Sequence, residues 1–265
     1  MLVTGAGRGI GASIAAAAAA GGWTVGVLDR DGDAAQRVAA DLSGLGLALD
    51  ADTTDEAQVE AALDALVAAT GRLPTALVCN AGIVRFGPLI DVSLDDWRTV
   101  VDVNLTGTFV VARAVARRLI AAGDPGSIVV ITSMNGVAPG PNAGAYGSTK
   151  AAAALLVQQM ALEWGPHGIR VNAVAPGLID AGMSEPIYAD PDIRQRRSSR
   201  VPLGRLGTGA EVSAVVLFLL SDAAAYVTGT EILVDGGVTR SVIGTLPRPR
   251  GVDSVGATGA DDSES

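Results

Sequence analysis

The 265-residue chain holds one cysteine, one histidine and one lysine, and each scarcity excludes a class of chemistry. Cys79 alone cannot close an internal disulfide, which fits a reducing, cytoplasmic setting. A histidine-based metal site or a Ser-His-Asp triad would have to use His167. That residue lies in Gly165-Pro166-His167-Gly168, a turn pattern, so an exposed loop histidine and no metal site are expected. Aromatics are 3% of the chain and charged residues only 18%. The net charge of −9 argues against a nucleic-acid binder, which needs a basic face to displace phosphate counterions. The longest aliphatic stretches, such as Ala214 to Leu220, fall short of the roughly 20 residues that cross a bilayer. The amino terminus has no basic start leading into an apolar run and a cleavage site, so neither a membrane span nor a secretory leader is expected.

What is present is apolar: 49% of residues, with a mean hydropathy of +0.38, more than a disordered chain carries. The length suits one sizeable core and is short for two enzyme domains. Short β-branched runs alternate with alanine-rich helical patterns, the signature of βαβ units and a parallel sheet. Strands are expected at 2–4, 24–29, 47–50, 76–79, 127–132, 170–175 and 231–234, mostly apolar throughout, as when helices cover both faces. Helices are expected near 10–21, 32–43, 55–69, 94–121, 145–164 and 209–220. Thr53-x-x-Glu56 and Ser93-x-x-Asp96 read as capping boxes. The first strand is short, with Met1 three residues before a glycine loop. No repeat or interior linker interrupts residues 1–240, a single α/β domain. Residues 180–205 read as an irregular substrate loop carrying Arg194, Arg196, Arg197, Arg200 and Arg205. Residues 241–265 form an extension expected to be disordered from about 251.

Thr4-Gly5-Ala6-Gly7-Arg8-Gly9-Ile10-Gly11 stands between a strand and a helix, where glycines let the backbone approach a pyrophosphate at the helix amino terminus. Asp29, twenty residues after Gly9, ends the second strand and suits the adenosine ribose hydroxyls. A carboxylate there repels a 2′-phosphate and favours NAD over NADP, although Arg8 and Arg30 could each pair with that phosphate. Asp52 and Thr53 follow the third strand and Asn80-Ala81-Gly82 the fourth, at the strand ends where open parallel sheets bind ligands. Asn104 sits inside a helical pattern, unfavourable without a special hydrogen bond. Of 19 basic residues, 18 are Arg, and the one Lys lies four residues after Tyr146 in Tyr146-Gly147-Ser148-Thr149-Lys150. That spacing sets an ammonium beside a phenol on one helix face, and a nearby cation lowers a tyrosine pKa towards the range of a general acid/base. Ser133, ending the fifth strand, could bond the same substrate oxygen.

The glycine loop, Asp52, Asn80-Ala81-Gly82, Asn104, Ser133, Tyr146-x-x-x-Lys150 and Pro176-Gly177, in that order and at that spacing, resemble the classical short-chain dehydrogenase/reductase family from residue 2 to about 237. The resemblance implies a Rossmann-type, doubly wound parallel sheet of seven strands in the order 3-2-1-4-5-6-7, with helices on both faces, usually in a homotetramer or otherwise a homodimer. It implies Tyr146 as acid/base, Ser133 orienting the reacting oxygen, and Lys150 binding the nicotinamide ribose. Asn104 would hold a relay water, and Ile179, after Pro176-Gly177, would meet the carboxamide. Val84, Asn135, Pro141, Leu178 and the 182–200 loop would form the substrate pocket. The chain departs from the family at Ala181, where Thr is usual, and at Cys79, where Asn is common and a buried, inert thiol is expected. The resulting expectation is an NAD-dependent oxidoreductase of a small secondary alcohol or its ketone. The alternatives are a reductase of acyl-carrier-bound 3-oxo thioesters, or a non-catalytic dinucleotide sensor, which the intact Ser133, Tyr146 and Lys150 disfavour.

Overall fold

The computed structural model describes residues 1–241, apart from the side chains of residues 184–186. The expected disorder from about 251, and all of the extension beyond Ser241, lie outside the described residues. Seven parallel strands form one sheet in the order β3-β2-β1-β4-β5-β6-β7. They are β1 (Leu2–Thr4), β2 (Val25–Asp29), β3 (Gly46–Asp50), β4 (Ala76–Cys79), β5 (Gly126–Ile131), β6 (Ile169–Pro176) and β7 (Glu231–Val234). Alternate residues of the five central strands enter opposite cores: Leu2, Leu28, Leu77, Ile128 and Val171 on one face, Val3, Val27, Val78, Val129 and Val174 on the other. That double burial explains why the strands read as unbroken apolar runs.

One face is covered by α3 (Glu56–Thr70), α5 (Gly107–Ala122) and α7 (Tyr146–Trp164), the other by α1 (Gly9–Ala20), α2 (Gly32–Ala40) and α10 (Gly209–Leu220). Between them lie α4 (Leu94–Val101), α6 (Met134–Val137), α8 (Glu185–Tyr188) and α9 (Pro191–Ser198). Strand order reverses between β1 and β4, opening a crevice at the carboxyl ends of the strands. The helical stretch Leu94–Ala122 is long and apolar enough to cross a membrane, but Val110, Val111, Val115 and Leu119 bury one side of it against the sheet.

Three local expectations give way to the structure. Thr53 does not cap α3: Asp55 does, accepting from the amides of Ala57 and Gln58, because the helix starts at Glu56 and Thr53 is buried. The helix expected over 94–121 is interrupted by a π turn, Asp102–Thr106, that carries Asn104. The 180–205 loop is not irregular throughout but folds into α8 and α9, the latter capped by Asp190 with Pro191 at its first position. Ser93 caps α4 as expected, accepting from the Asp96 amide while its hydroxyl donates to the Asp96 carboxylate.

Candidate active site

β1 runs into the glycine loop, where Gly5 and Gly9 adopt φ of 61° and 58°. No side chain caps α1 and no acid lies in its first turn, so its amide end is left for an anionic ligand. The loop is held from the neighbouring strand. Asn80 donates through Nδ2 to the carbonyls of Thr4 (3.0 Å) and Gly5 (2.9 Å), and the amides of Asn80 and Ala81 donate to the Thr4 hydroxyl. Asn80 thus clamps the loop, a job its position alone did not reveal. Gly11 faces inward: a Cβ there would lie 2.3 Å from the Gly5 carbonyl oxygen, so this glycine serves packing and stands outside the cleft lining. Asp29, at the end of β2, accepts from the Gly7 amide (2.9 Å) and the Asp31 amide (3.0 Å), which fixes its carboxylate beside the loop.

A cleft of about 680 Å³ gathers Gly5, Arg8, Gly9, Ile10, Asp29, Arg30, Asp52, Thr53, Asn80, Ala81, Gly82, Pro176, Gly177 and Ile179 with Ser133, Tyr146 and Lys150. Ile179 is aligned by β-like bonds on either side of it, Gly207 N–H to the Leu178 carbonyl and Asp180 N–H to the Gly207 carbonyl. Val84, Asn135, Pro141 and Leu178 line the cleft as expected. Phe86, Met134, Met183, Ile187 and Tyr188 join them from loops and short helices whose facing no sequence period announces.

The reactive corner forms because α6 presses against the first turn of α7. A Cβ on Gly147 would lie 2.9 Å from the Asn135 carbonyl oxygen, so only glycine permits the approach. Ser133 caps α6 by accepting from the Asn135 amide (3.1 Å), and it lines the same cleft as Tyr146. Lys150 is buried; its Nζ donates to the Ile131 carbonyl (2.8 Å) and lies 5.6 Å from the centroid of the Tyr146 ring. Burial lowers the lysine pKa from 10.5 to about 8. Burial also raises the Tyr146 phenol above its ordinary value of 10, with Ser133 pulling the other way. The expected depression of this phenol is therefore not what the structure has: the ammonium sits over the ring and bonds a carbonyl, and desolvation outweighs it.

Asn104 stands behind the cleft rather than in its lining. Its Oδ1 accepts from the Ile83 amide (2.8 Å), and its Nδ2 donates to the Ile83 carbonyl (2.9 Å) and Thr149 Oγ1 (3.2 Å). Those bonds are the special role that an Asn inside a helix requires, and they explain the π turn that turns it inward. Cys79 is buried, and burial pushes its thiol up to about 12, which makes it inert. His167 is exposed in a turn.

A family model described as enoyl-(acyl carrier protein) reductase matches residues 5–239. The chain is 39% identical over 244 residues to 2-(S)-hydroxypropyl-CoM dehydrogenase 3 of Xanthobacter autotrophicus, spanning 89% of this chain and 95% of that protein. It is 42% identical over 239 residues to the 3-alpha-(or 20-beta)-hydroxysteroid dehydrogenase of Mycobacterium tuberculosis, spanning 89% and 87%. The solved 3-ketoacyl-(acyl-carrier-protein) reductase from Brucella melitensis, complexed with NADH, superposes with a TM-score of 0.83 at 31% identity over 90% of this chain and 97% of that one. With nearly every described residue inside the family match, the protein belongs to the short-chain dehydrogenase/reductase family and interconverts secondary alcohols and ketones with a nicotinamide cofactor.

Proposed function

We propose that residues 1–240 are a cytoplasmic catalytic domain that prefers NAD(H) and acts on a small, mainly apolar secondary alcohol or ketone, with Tyr146 as its general acid/base. The observation that carries the catalytic part is that Ser133, Tyr146 and Lys150 line one cleft, with the sole lysine over the Tyr146 ring.

The donor set fits a dinucleotide. Gly9 and the uncapped end of α1 suit a diphosphate, and Asp29, already oriented by two amides, suits ribose hydroxyls and repels a 2′-phosphate. Lys150 keeps two N–H donors beyond its bond to Ile131 that would hold a second ribose, and the Ile179 backbone would meet the carboxamide. Asn80, Ala81, Gly82, Pro176 and Gly177 shape the walls between these points. When bound, the nicotinamide supplies or accepts the hydride. Ser133 and Tyr146 bond the reacting oxygen. Tyr146 gives its proton to that oxygen during ketone reduction and takes it back during alcohol oxidation. A phenol held above 10 enters the cycle protonated at neutral pH, which suits reduction, while oxidation gains as pH rises towards the phenol's pKa. Asn104 acts by positioning, holding the Ile83 backbone and Thr149, the neighbour of Lys150. Exposed Phe109, Leu155 and Leu162 on α5 and α7 support assembly as a homotetramer, with a homodimer as the smaller alternative.

A second reading, reduction of acyl-carrier-bound 3-oxo thioesters, draws on exposed Arg196 and Arg200 at the cleft mouth; Asp29 weighs against it through the cofactor. The test is a panel of secondary alcohols and ketones followed at the NADH absorbance band, with NAD(H) and NADP(H) in parallel. Turnover with NAD(H) at least tenfold better than with NADP(H), falling by about a thousandfold in Tyr146→Phe while cofactor binding persists, is the expected result. A Tyr146→Phe enzyme with most of its activity would remove the acid/base assignment.

A further inference from the structure

Five arginines lie between residues 194 and 205, and the structure divides them into two groups. Arg194 is tied to Asp180 at 2.5 Å and also donates to the Tyr188 carbonyl, and Arg205 is tied to Glu211 at 2.6 Å. Neither lines the cleft. Arg196, Arg197 and Arg200 do line it, and among the described residues no carboxylate pairs with any of them. In a chain with nine more acids than bases, three neighbouring cations without a counter-charge at one opening are unusual. Arg197 is moreover held in place: it is half-buried, and its guanidinium lies 5.7 Å from the ring centroid of Tyr188, itself buried and part of the cleft wall. The carboxylates in the same lining, Asp29 and Asp52, belong to the far end, under β2 and β3. The same cleft that holds the arginines and the reactive corner has apolar lining from Phe86, Met134, Met183, Ile187 and Tyr188.

We propose that Arg196, Arg197 and Arg200 recognise an anionic group on the substrate itself, so that the enzyme takes an apolar ketone or secondary alcohol ending in a carboxylate, phosphate or sulfonate. The proposal rests on the dehydrogenase reading of the cleft and narrows its substrate class. Guanidinium forks suit all three anions through paired N–H donors. The apolar wall accepts the chain between anion and carbonyl, and three unneutralised charges at the mouth draw anions towards an otherwise acidic protein. Because the arginines, though solvent-accessible, line the cleft, the anion they meet is on the molecule that enters.

The test has a binding arm and a turnover arm. Calorimetry on the protein with NAD compares octanoate, octyl phosphate, octanesulfonate and octanamide, and kinetics compare 7-oxooctanoate with its methyl ester. At least one anion should bind about tenfold or more tightly than octanamide, and the tightest of the three names the headgroup. The free keto acid should exceed its ester in kcat/KM by a similar factor, expressed in KM. In Arg196→Gln/Arg197→Gln/Arg200→Gln both ratios should fall to within about twofold, and in the wild-type protein both should shrink between about 0.05 and 0.5 M salt. The salt series needs no variant, so the proposal stays exposed even if the triple variant fails to fold. Equal treatment of anion and neutral partner by the wild-type protein overturns it, as does a preference that survives the triple substitution. A triple variant whose main change is weaker NAD binding overturns it too, by assigning the arginines to the cofactor. Tight anion binding without turnover of either ketone would instead sink the dehydrogenase reading and leave the arginine site standing.

Discussion

Ser133, Tyr146 and Lys150 sit where the end of β5 meets α6 and α7, pressed so close that Gly147 has no room for a side chain. Arg196, Arg197 and Arg200 sit on and just after α9, a two-turn helix with no buried residue. The corner is fixed by strands, by close backbone contact and by an asparagine that spends its whole amide on Ile83 and Thr149. The segment over 180–200, a lid on the cleft, is held by contacts that include the half-exposed Arg194–Asp180 pair, the short bridge at Ile179 and Gly207, the buried ring of Tyr188, and the close approach of Gly182 to Gly9. An exposed pair of that kind contributes about 1 kcal/mol or less. The difference separates two duties. Proton transfer needs atoms held within a fraction of an ångström, whereas admission of a substrate needs a segment of low local stability.

The largest expected effect comes from Lys150→Met, which tests the corner directly. Turnover should fall by about a thousandfold or more, since no other lysine exists in the chain to take its place. Stability should move the other way. The folded pKa of Lys150, about 8, lies below its ordinary 10.5, so below pH 8 the folded protein carries a buried charge at its full cost. That cost fades as pH rises from about 8 to 10.5, where the native amine is already neutral and the unfolded one is still charged. Removing the charge is worth about 3 kcal/mol at pH 7, less about 1 for the orphaned Ile131 carbonyl. The variant should therefore melt roughly 5 °C higher at pH 7 and lose the pH-dependent gain above 8. A lower melting temperature at pH 7 would mean that the buried ammonium is stabilised by more than one carbonyl.

The corner was also the more legible region. Its residues announce themselves by spacing, since a helix puts Tyr146 and Lys150 on one face and a strand end exposes Ser133, and the strand runs reflect cores on both faces of the sheet. Legibility failed where tertiary contact decides. The clamp role of Asn80 depends on two carbonyls 76 and 75 residues away. The π turn at Asn104 depends on the Ile83 backbone, and the phenol's raised pKa on a desolvation that the Tyr-Lys spacing does not encode. Thr53 misled because capping chemistry is local but burial is not; Asp55, two residues on, had the same chemistry and a solvent-facing position. The lid helix α9 did carry a local signal, Asp190 followed by Pro191, which the surrounding arginines and prolines obscured.

Asn80→Ala should have the next largest effect and tests whether the glycine loop shares the rigidity of the corner. The loss of two amide bonds leaves the Thr4 and Gly5 carbonyls without that donor, at a cost of about 1–3 kcal/mol. Melting temperature should drop by several degrees, and the cofactor KM should rise more than the ketone KM, because the slackened segment is the diphosphate cradle. Equal rises in both would mean that the clamp reaches across the cleft, and the loop would then belong with the lid.

Gly182→Ala should give the smallest effect, and it probes the seam between the two regions. Gly182 has φ of 60°, and a Cβ there would lie 3.1 Å from Gly9 Cα. Alanine in that conformation costs about 1 kcal/mol, and the contact is tight enough that the lid must move back by a few tenths of an ångström. If the lid is as loosely held as its contacts imply, that movement is cheap. The cofactor and ketone KM values should then rise together by about fivefold, the ratio that 1 kcal/mol supports. A drop in kcat of a hundredfold would mean that retreat of the lid drags the reacting oxygen away from Tyr146. The lid would then be part of the rigid frame, and its few visible contacts would understate how firmly it is held.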